Sequence, residues 1–376
     1  MTVTTLEILD PGLLTTVQDR GRYGYQRYGV PVSGAMDQFA LRMANLMAGN
    51  DQDAAALEVT VRGPRIEFLA STWIAVTGAD ISPEVDGQPL PMWESVEITE
   101  GSVLAFGDLR DGMRAYVAVR GGIDVPMVMG SRSTYLKGGF GGLDGRALQV
   151  GDSLSTLPTK PDALIPKQLP RDYTGPVYGG IHRLRVVLGP QDHAFDSNAL
   201  SKFLTSRFRV HADSDRMGYM LDGPKLDHLE GADIVSDGNP PGAVQIHGDG
   251  MPRVLLADRG TTGGYTKIAT VISADLPNLA QALPGQSVSF RQVTVEESQD
   301  ALQEQESVIR SVARQGQLPV MSISLDDVVF AVESEDGHPI TQPVPIAGPS
   351  EEVVRSIGVN IDGETYDFRL NVERES

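Results

Sequence analysis

The sequence predicts a mainly β protein with a few helices, and three observations carry that expectation. Short apolar or alternating runs follow one another closely from residue 65 onwards. Glycine (41 residues) and proline (24) are abundant enough to supply many tight turns. One loop is used twice: Asp19-Arg20-Gly21 followed by Gly24-Tyr25, and Asp258-Arg259-Gly260 followed by Gly263-Gly264-Tyr265. With 376 residues the chain exceeds one ordinary core, so the repeat is read as two related domains plus an appendage.

The strand reading rests on particular runs. Ile66-Glu67-Phe68-Leu69, Trp73-Ile74-Ala75-Val76, Ser95-Val96-Glu97-Ile98 and Val103-Leu104-Ala105-Phe106 are short, with Asp86-Gly87 and Glu100-Gly101 as turns. Tyr116-Val117-Ala118-Val119 and Leu184-Arg185-Val186-Val187-Leu188 continue the habit. Strands this short and close predict a barrel or sandwich rather than alternating βαβ units. A helix is expected where Met36, Phe39, Met43, Leu46 and Met47 share a face, ending at Gly49-Asn50. A second, short helix is expected after Asp275 as its cap, with Pro284-Gly285 stopping it. Five prolines between 156 and 180 mark a linker. A charged helix over 296–314, with a thin stripe at Leu302, Val308, Ile309 and Val312, opens the C-terminal part, and a hairpin around Asp362-Gly363 is expected near its end. The expected bounds are 1–157 for the first domain, 158–180 for the linker, 181–293 for the second domain and 294–376 for an extension.

Composition excludes several function classes. There are no cysteines, which removes disulfides, thiolate metal sites and a cysteine nucleophile. The six histidines are scattered, so no metal site is expected. A net charge of −19 argues against nucleic acid as a partner. No apolar run approaches membrane-spanning length and no signal peptide is read, so a soluble, cytoplasmic protein without membrane contact is expected.

The repeated loops are the best site candidates. Each offers a carboxylate, a guanidinium, glycine amides and a phenol within a few residues; arginine grips carboxylates or phosphates in a fork, and glycine lets the backbone approach a ligand. The plainer reading is a clamped glycine turn. The second loop is the stronger candidate because Thr261, Thr262 and Lys267 add hydroxyls and an ammonium. A fainter echo links Ser131-Arg132-Ser133-Thr134-Tyr135 with Ser214-Asp215-Arg216-Met217-Gly218-Tyr219. The glycine-rich stretch 138–145, between Lys137 and Arg146, reads either as an anion-binding nest or as a hairpin tip. Walker and Gly-x-Gly-x-x-Gly fingerprints are absent, as is a Gly-x-Ser-x-Gly elbow. His193 and His247 sit close to Asp192 and Asp249 and read as local surface pairs.

Ordered motifs then make the chain recognisable. Thr15-Thr16-Val17-Gln18-Asp19-Arg20-Gly21-Arg22, Gly29-Val30-Pro31-Val32-Ser33-Gly34-Ala35-Met36-Asp37, Leu57-Glu58-Val59-Thr60, Gly189-Pro190-Gln191, the segment around Arg216, Gln245 and the run from Asp258 to Ile268 follow in sequence. The chain resembles the allophanate hydrolase subunit 2 family, which includes the C-type subunit of 5-oxoprolinase and the carboxyltransferase domain of urea carboxylase. The resemblance implies two tandem cyclophilin-like β-barrels. It implies an ATP-dependent complex acting on a urea- or lactam-like amide, with a subunit 1-like protein as partner. A third subunit or a biotin carrier is a further implied partner. ATP is expected through the complex, and carboxybiotin, if used, from another chain, because none of the six lysines has a methionine neighbour. Gly260, Thr266, Met220 and His247 depart from the usual 5-oxoprolinase pattern.

On this reading Lys267, Arg259 and Asp258 are the expected catalytic residues. Gln245, Tyr265, Thr261, Thr262, Arg216, Asp19, Arg20, Ser33 and Asp37 are expected to bind substrate. The rival expectation is a non-catalytic protein that sequesters a subunit 1-type, kinase-inhibitor-like partner.

Overall fold

The computed structural model describes residues 3–159, 166–171, 173 and 175–315, and beyond them the backbone of four strands between 321 and 372. The chain divides into two compact units, Met1–Gln315 and Gly316–Ser376.

In chain order the first unit opens with β1 (Val3–Asp10), β2 (Leu14–Gln18) and α1 (Gln38–Met47). Short strands follow: β3 (Ala56–Thr60), β4 (Arg65–Phe68), β5 (Thr72–Asp80), β6 (Pro83–Val85), β7 (Gln88–Pro89), β8 (Val96–Ile98), β9 (Val103–Phe106), β10 (Asp111–Val119), β11 (Ile123–Asp124) and β12 (Ser153–Thr156). The second half holds β13 (Ile181–Leu188), α2 (Ser197–Thr205), β14 (Phe208–Val210), β15 (Gly218–Asp222), β16 (Asp233–Gly238), β17 (Ala243–Ile246), β18 (Pro252–Leu255), β19 (Thr262–Val271), α3 (Leu276–Ala280), β20 (Ser287–Gln292) and α4 (Val295–Arg314). The protein is thus mainly β with four α-helices among the described residues.

The first half is two sheets. One runs β11-β12-β1-β4-β9-β6-β7, the other β2-β3-β10-β5-β8. Alternating residues of the first, such as Leu6, Ile8, Ile66, Phe68 and Leu104, meet Leu57, Val59, Val76 and Val117 of the second in one core. The second sheet is buried on both faces because α1 covers its far side: Phe39, Met43 and Met47 pack on Ala75, Tyr116 and Ala118. That double burial explains why β3 and β10 lack a polar face. Asp86 and Gly87 both take left-handed φ (50° and 76°), the geometry of a two-residue hairpin turn, between β6 and β7.

The second half is one sheet in the order β13-β20-β14-β15-β18-β17-β19-β16. Strand β13 pairs in parallel with β20 and antiparallel with β19, so the hydrogen bonding returns on itself and β16 hangs from β19. Inside lie Leu184, Val186, Phe208 and Val288, with Phe203 of α2 stacked on Phe290 at 4.4 Å between centroids.

Several local expectations need correction. Asp275 precedes α3 but makes no cap bond. Its carboxylate instead takes a two-point grip from Arg185 (2.6 and 3.0 Å) and the Arg185 amide, a stronger charge-assisted set than a single cap bond. The charged helix α4 forms where expected, behind a capping box of Thr294 and Glu297, but it belongs to the first unit. Ile309 and Val312 enter the α1 core, and Glu306 holds Arg42 through both oxygens. Within the proline-rich stretch, residues 160–165 lie outside the described residues, whereas Leu169, Tyr173 and Tyr178 pack onto the first half.

In the second unit β21 (Met321–Leu325) pairs with β22 (Val328–Val332), and β23 (Val353–Ile361) with β24 (Glu364–Val372). Ile361 stands opposite Glu364, which gives the expected hairpin; Asp362 and Gly363 lie outside the described residues. No helix among the described residues is long and apolar enough to cross a membrane.

Candidate functional site

The two repeated loops meet at the junction of the halves. Ser33 donates its amide to the Ala257 carbonyl (3.1 Å), which sets the segment after the first loop against the start of the second. Beneath that contact lies Arg216, buried and held by Glu58 of β3, by Asp258 (3.0 Å) and by the Gly34 carbonyl. Burial disfavours its charge, but the Glu58 and Asp258 carboxylates outweigh that and raise its pKa. The fork of Arg216 is therefore engaged by protein acceptors, and Asp258 is engaged with it.

The first loop is also absorbed in packing. The Asp19 carboxylate accepts from the Gly21 amide (2.8 Å), the Ser131 hydroxyl (2.7 Å) and the Arg132 amide. The faint echo in the sequence thus has a counterpart in space. Asp19 is held by the segment 131–132, as Asp258 is held by Arg216. In neither loop does the aspartate pair with the arginine that follows it. Asp37 caps α1 through the Ala40 amide (2.8 Å) and takes a hydrogen bond from Gln281 (2.8 Å). Burial raises its pKa. Arg20 reaches the exposed Asp53 at 3.1 Å.

The glycine-rich stretch offers no anion nest. Its flanking cations are already paired, Lys137 with Asp215 (3.1 Å) and Arg146 with Asp152 (2.7 and 2.9 Å). A Cβ on Gly141 would stand 2.0 Å from the Ser133 carbonyl oxygen, so glycine there serves close packing.

Beyond the second loop a cleft of about 370 Å³ opens on the outer side of β15, β17, β18 and β19. Arg259, Thr262, Tyr265 and Gln245 line it, as do Asn239, Met217, Met220, His247 and Arg253. The pairing of β17 with β18 brings His247 and Arg253 to the two feet of one turn. His247 stacks on Tyr265 with 3.7 Å between centroids and 21° between planes. The ring is neutral at pH 7: burial and the adjacent Arg253 push its pKa down to about 4, against a smaller opposing effect of Asp249. Its Nδ1 meets the Arg253 guanidinium, which can only donate, so the proton of the neutral ring sits on Nε2. Gln245 donates to Asn239 (3.2 Å), and Asn239 donates to the Gly260 carbonyl (3.1 Å). Arg259 is fixed by the Asn239 carbonyl (2.8 Å) and the Leu256 carbonyl (3.1 Å), with no ion pair among the described residues. Burial lowers its pKa, partly opposed by Tyr23.

The expected site residues therefore separate. Arg259, Gln245, Tyr265 and Thr262 share the cleft. Lys267 stands just behind it: it is paired with Gln245 across β17–β19, is 1% exposed, and its Nζ has no hydrogen-bond partner. Its nearest carboxylate, Asp237 at 3.6 Å, is paired with cleft-lining Gly263. Thr261 contributes its carbonyl to the Asn239 amide (3.0 Å) and does not line the cleft. Asp258, Arg216, Asp19 and Asp37 lie at the junction, and Arg20 and Ser33 line a different cavity. Sequence reasoning missed His247, Arg253 and Asn239. The spacing His247-Gly-Asp-Gly-Met-Pro-Arg253 is the signal that would have found the first two, since a glycine turn between short strands returns its ends to each other.

Comparison with known proteins gives consistent results. The profile of the family described as carboxyltransferase domain, subdomain A and B, matches residues 28–292. The C-type subunit of 5-oxoprolinase from Escherichia coli (strain K12) is 40% identical over 308 residues, 82% of this chain and 97% of that protein. The urea amidolyase of Saccharomyces cerevisiae is 36% identical over 325 residues, 82% of this chain but 18% of that protein. The crystal structure of the K. lactis urea amidolyase superposes with a TM-score of 0.78 at 30% identity, over 95% of this chain and 22% of that one. This chain thus spans nearly all of the 5-oxoprolinase relative and only a fraction of the amidolyases.

Proposed function

The chain belongs to the carboxyltransferase domain family, subdomains A and B, and from that membership we propose that it is part of an ATP-dependent complex acting on a small amide, either a lactam such as 5-oxoproline or a urea. The observation that supports this most is the cleft beside the second loop. A flat His247–Tyr265 stack forms one wall, an Asn239–Gln245 amide pair another, and Arg259 stands with its charge uncompensated. A planar amide group fits such walls, with its ring or body on the aromatic face.

Amides are poor electrophiles and poor nucleophiles, and activating one develops negative charge on its oxygen. Fixed cations and N–H donors in a poorly solvated site stabilise that charge. Arg259 is the proposed stabiliser, with the buried ammonium of Lys267 adding to the positive field from behind Gln245. Gln245, Asn239 and Tyr265 orient the amide, and Thr262 closes the rim. Asp258 acts through Arg216, holding the loop that carries Arg259.

Carboxybiotin from another chain fits the same donor set, because its ureido ring is flat and its carboxylate would face Arg259. It would supply a carboxyl group to the amide nitrogen. The described residues do not fit a nucleotide triphosphate, since Lys137 and Arg146 beside the glycine stretch are already paired. ATP is therefore assigned to the subunit 1-type partner or to a further member of the complex. We further propose that the halves, 1–157 and 181–293, are tandem cyclophilin-like barrels joined by 158–180. The self-closing pairing of β13 supports this for the second half, and the proposed extension starts after Gln315 instead of at 294.

One observation favours the binding-only alternative: Asp19, Asp37, Asp258 and Arg216 are all taken up in packing. The two readings part in one experiment. The chain is co-expressed with a subunit 1-type partner and ATP hydrolysis is measured with 5-oxoproline or urea, with and without bicarbonate. Amide-dependent hydrolysis supports the catalytic reading. A stable complex without it leaves only the sequestering role.

A further inference from the structure

A second cavity, of about 380 Å³, lies where the junction of the two loops faces α1, α3 and α4. Its walls are largely apolar, with Met36, Phe39 and Leu276 on one side and Leu302 of α4 on the other. Its polar groups gather near the two loops. Ser33 is 3% exposed, has a left-handed φ of 55°, and its Oγ has no hydrogen-bond partner. The Nε of Arg20 is likewise buried and without a partner, although Nη1 of the same residue reaches Asp53. Arg259 lines this cavity as well as the first cleft, and its charge is not balanced by a carboxylate among the described residues. The remaining cation, Arg42, is neutralised by the two-point contact with Glu306.

Two buried donors without acceptors are costly, about 1–3 kcal/mol each, and beside an unbalanced guanidinium they match one kind of guest. We propose that this cavity binds a small carboxylic acid with a short apolar body. The carboxylate accepts from the Ser33 hydroxyl and from Arg20 Nε–H and lies in the field of Arg259. The apolar body runs along Phe39 and Met36 towards Leu302. The size is that of an ordinary small-molecule pocket. Because α4 forms its outer wall and Arg259 its inner one, the occupant touches both the helix and the arginine of the amide cleft. The site is separate from the proposed amide cleft and stands even if that reading fails.

Calorimetric titration of the full chain with hexanoate, and with hexylamine as a cation of equal length, tests this. One hexanoate per chain is expected to bind, and hexylamine is not. Ser33→Gly keeps the left-handed backbone and removes the hydroxyl; it is expected to weaken hexanoate about tenfold. Leu302 is 38% exposed on a helix, so charge is tolerated there. Leu302→Glu is expected to abolish binding and Leu302→Lys to retain or tighten it. Tyr265→Ala, in the other cleft, is expected to change the Kd less than twofold. No binding of hexanoate, equal binding of hexylamine, or retention in Leu302→Glu with loss in Tyr265→Ala each overturns the proposal.

Discussion

The imidazole of His247 shows how a residue's partners decide its chemistry. Free histidine titrates near neutrality, but burial and Arg253 depress this one to about 4. An NMR titration of the ring nitrogens should therefore give a midpoint about 4, with the neutral Nε2–H form throughout the neutral range; a midpoint near 6.5 contradicts the assigned contacts. The consequence for stability has a definite sign. Between about pH 4 and 6.5 the unfolded chain takes up the proton and the folded chain does not, so this residue makes stability fall as pH drops through that window. His247→Gln should flatten that part of the stability–pH curve measured by urea denaturation. Tyr265, Gln245, Thr262 and Arg259 were legible in sequence because they lie in or near a recognisable loop. His247, Arg253 and Asn239 were not, because their roles arise from cross-strand proximity, which adjacency to Asp249 disguised as a surface pair.

Among the elements, α4 shows both the reach and the limit of sequence reading. Its stripe and its span were legible, since Thr294 and Glu297 form a capping box and Ile309 and Val312 recur at helical spacing. Its membership in the first unit was not, because the Arg42–Glu306 contact joins residues 264 apart in sequence. Ile309 is fully buried against the α1 core, so Ile309→Ala should cost about 2–4 kcal/mol in chemical denaturation. Thr294→Ala should cost about 1 kcal/mol through the lost cap. A negligible effect of Ile309→Ala would mean that α4 is not docked on α1. The misread element is α3: Asp275 has the identity of a cap, but a distant arginine outcompetes the helix for its carboxylate.

At the scale of the whole molecule, the two halves are joined by buried polar groups as well as by apolar packing. Arg216 binds Glu58 of the first half and Asp258 of the second; Gln281 accepts from the Met113 and Arg114 amides and donates to Asp37. Arg216→Ala strands two buried carboxylates, so it should cost about 3–5 kcal/mol and lower the midpoint of thermal unfolding in a calorimeter. A variant as stable as the parent would refute the assigned pairing. The repeat was visible in the sequence as two copies of one loop, yet its use was not: both aspartates and Arg216 fasten the structure, and only Arg259 of the repeated triplets faces the cleft. The central claim is that this arginine stabilises negative charge on an activated amide. The direct measurement is amide-dependent ATP hydrolysis by the complex with a subunit 1-type partner, comparing the parent chain with Arg259→Ala after thermal unfolding has shown both to be folded. A loss of about 10²–10³ in kcat is the expected result, as for removal of a transition-state donor. Unchanged turnover in the folded Arg259→Ala complex would contradict it.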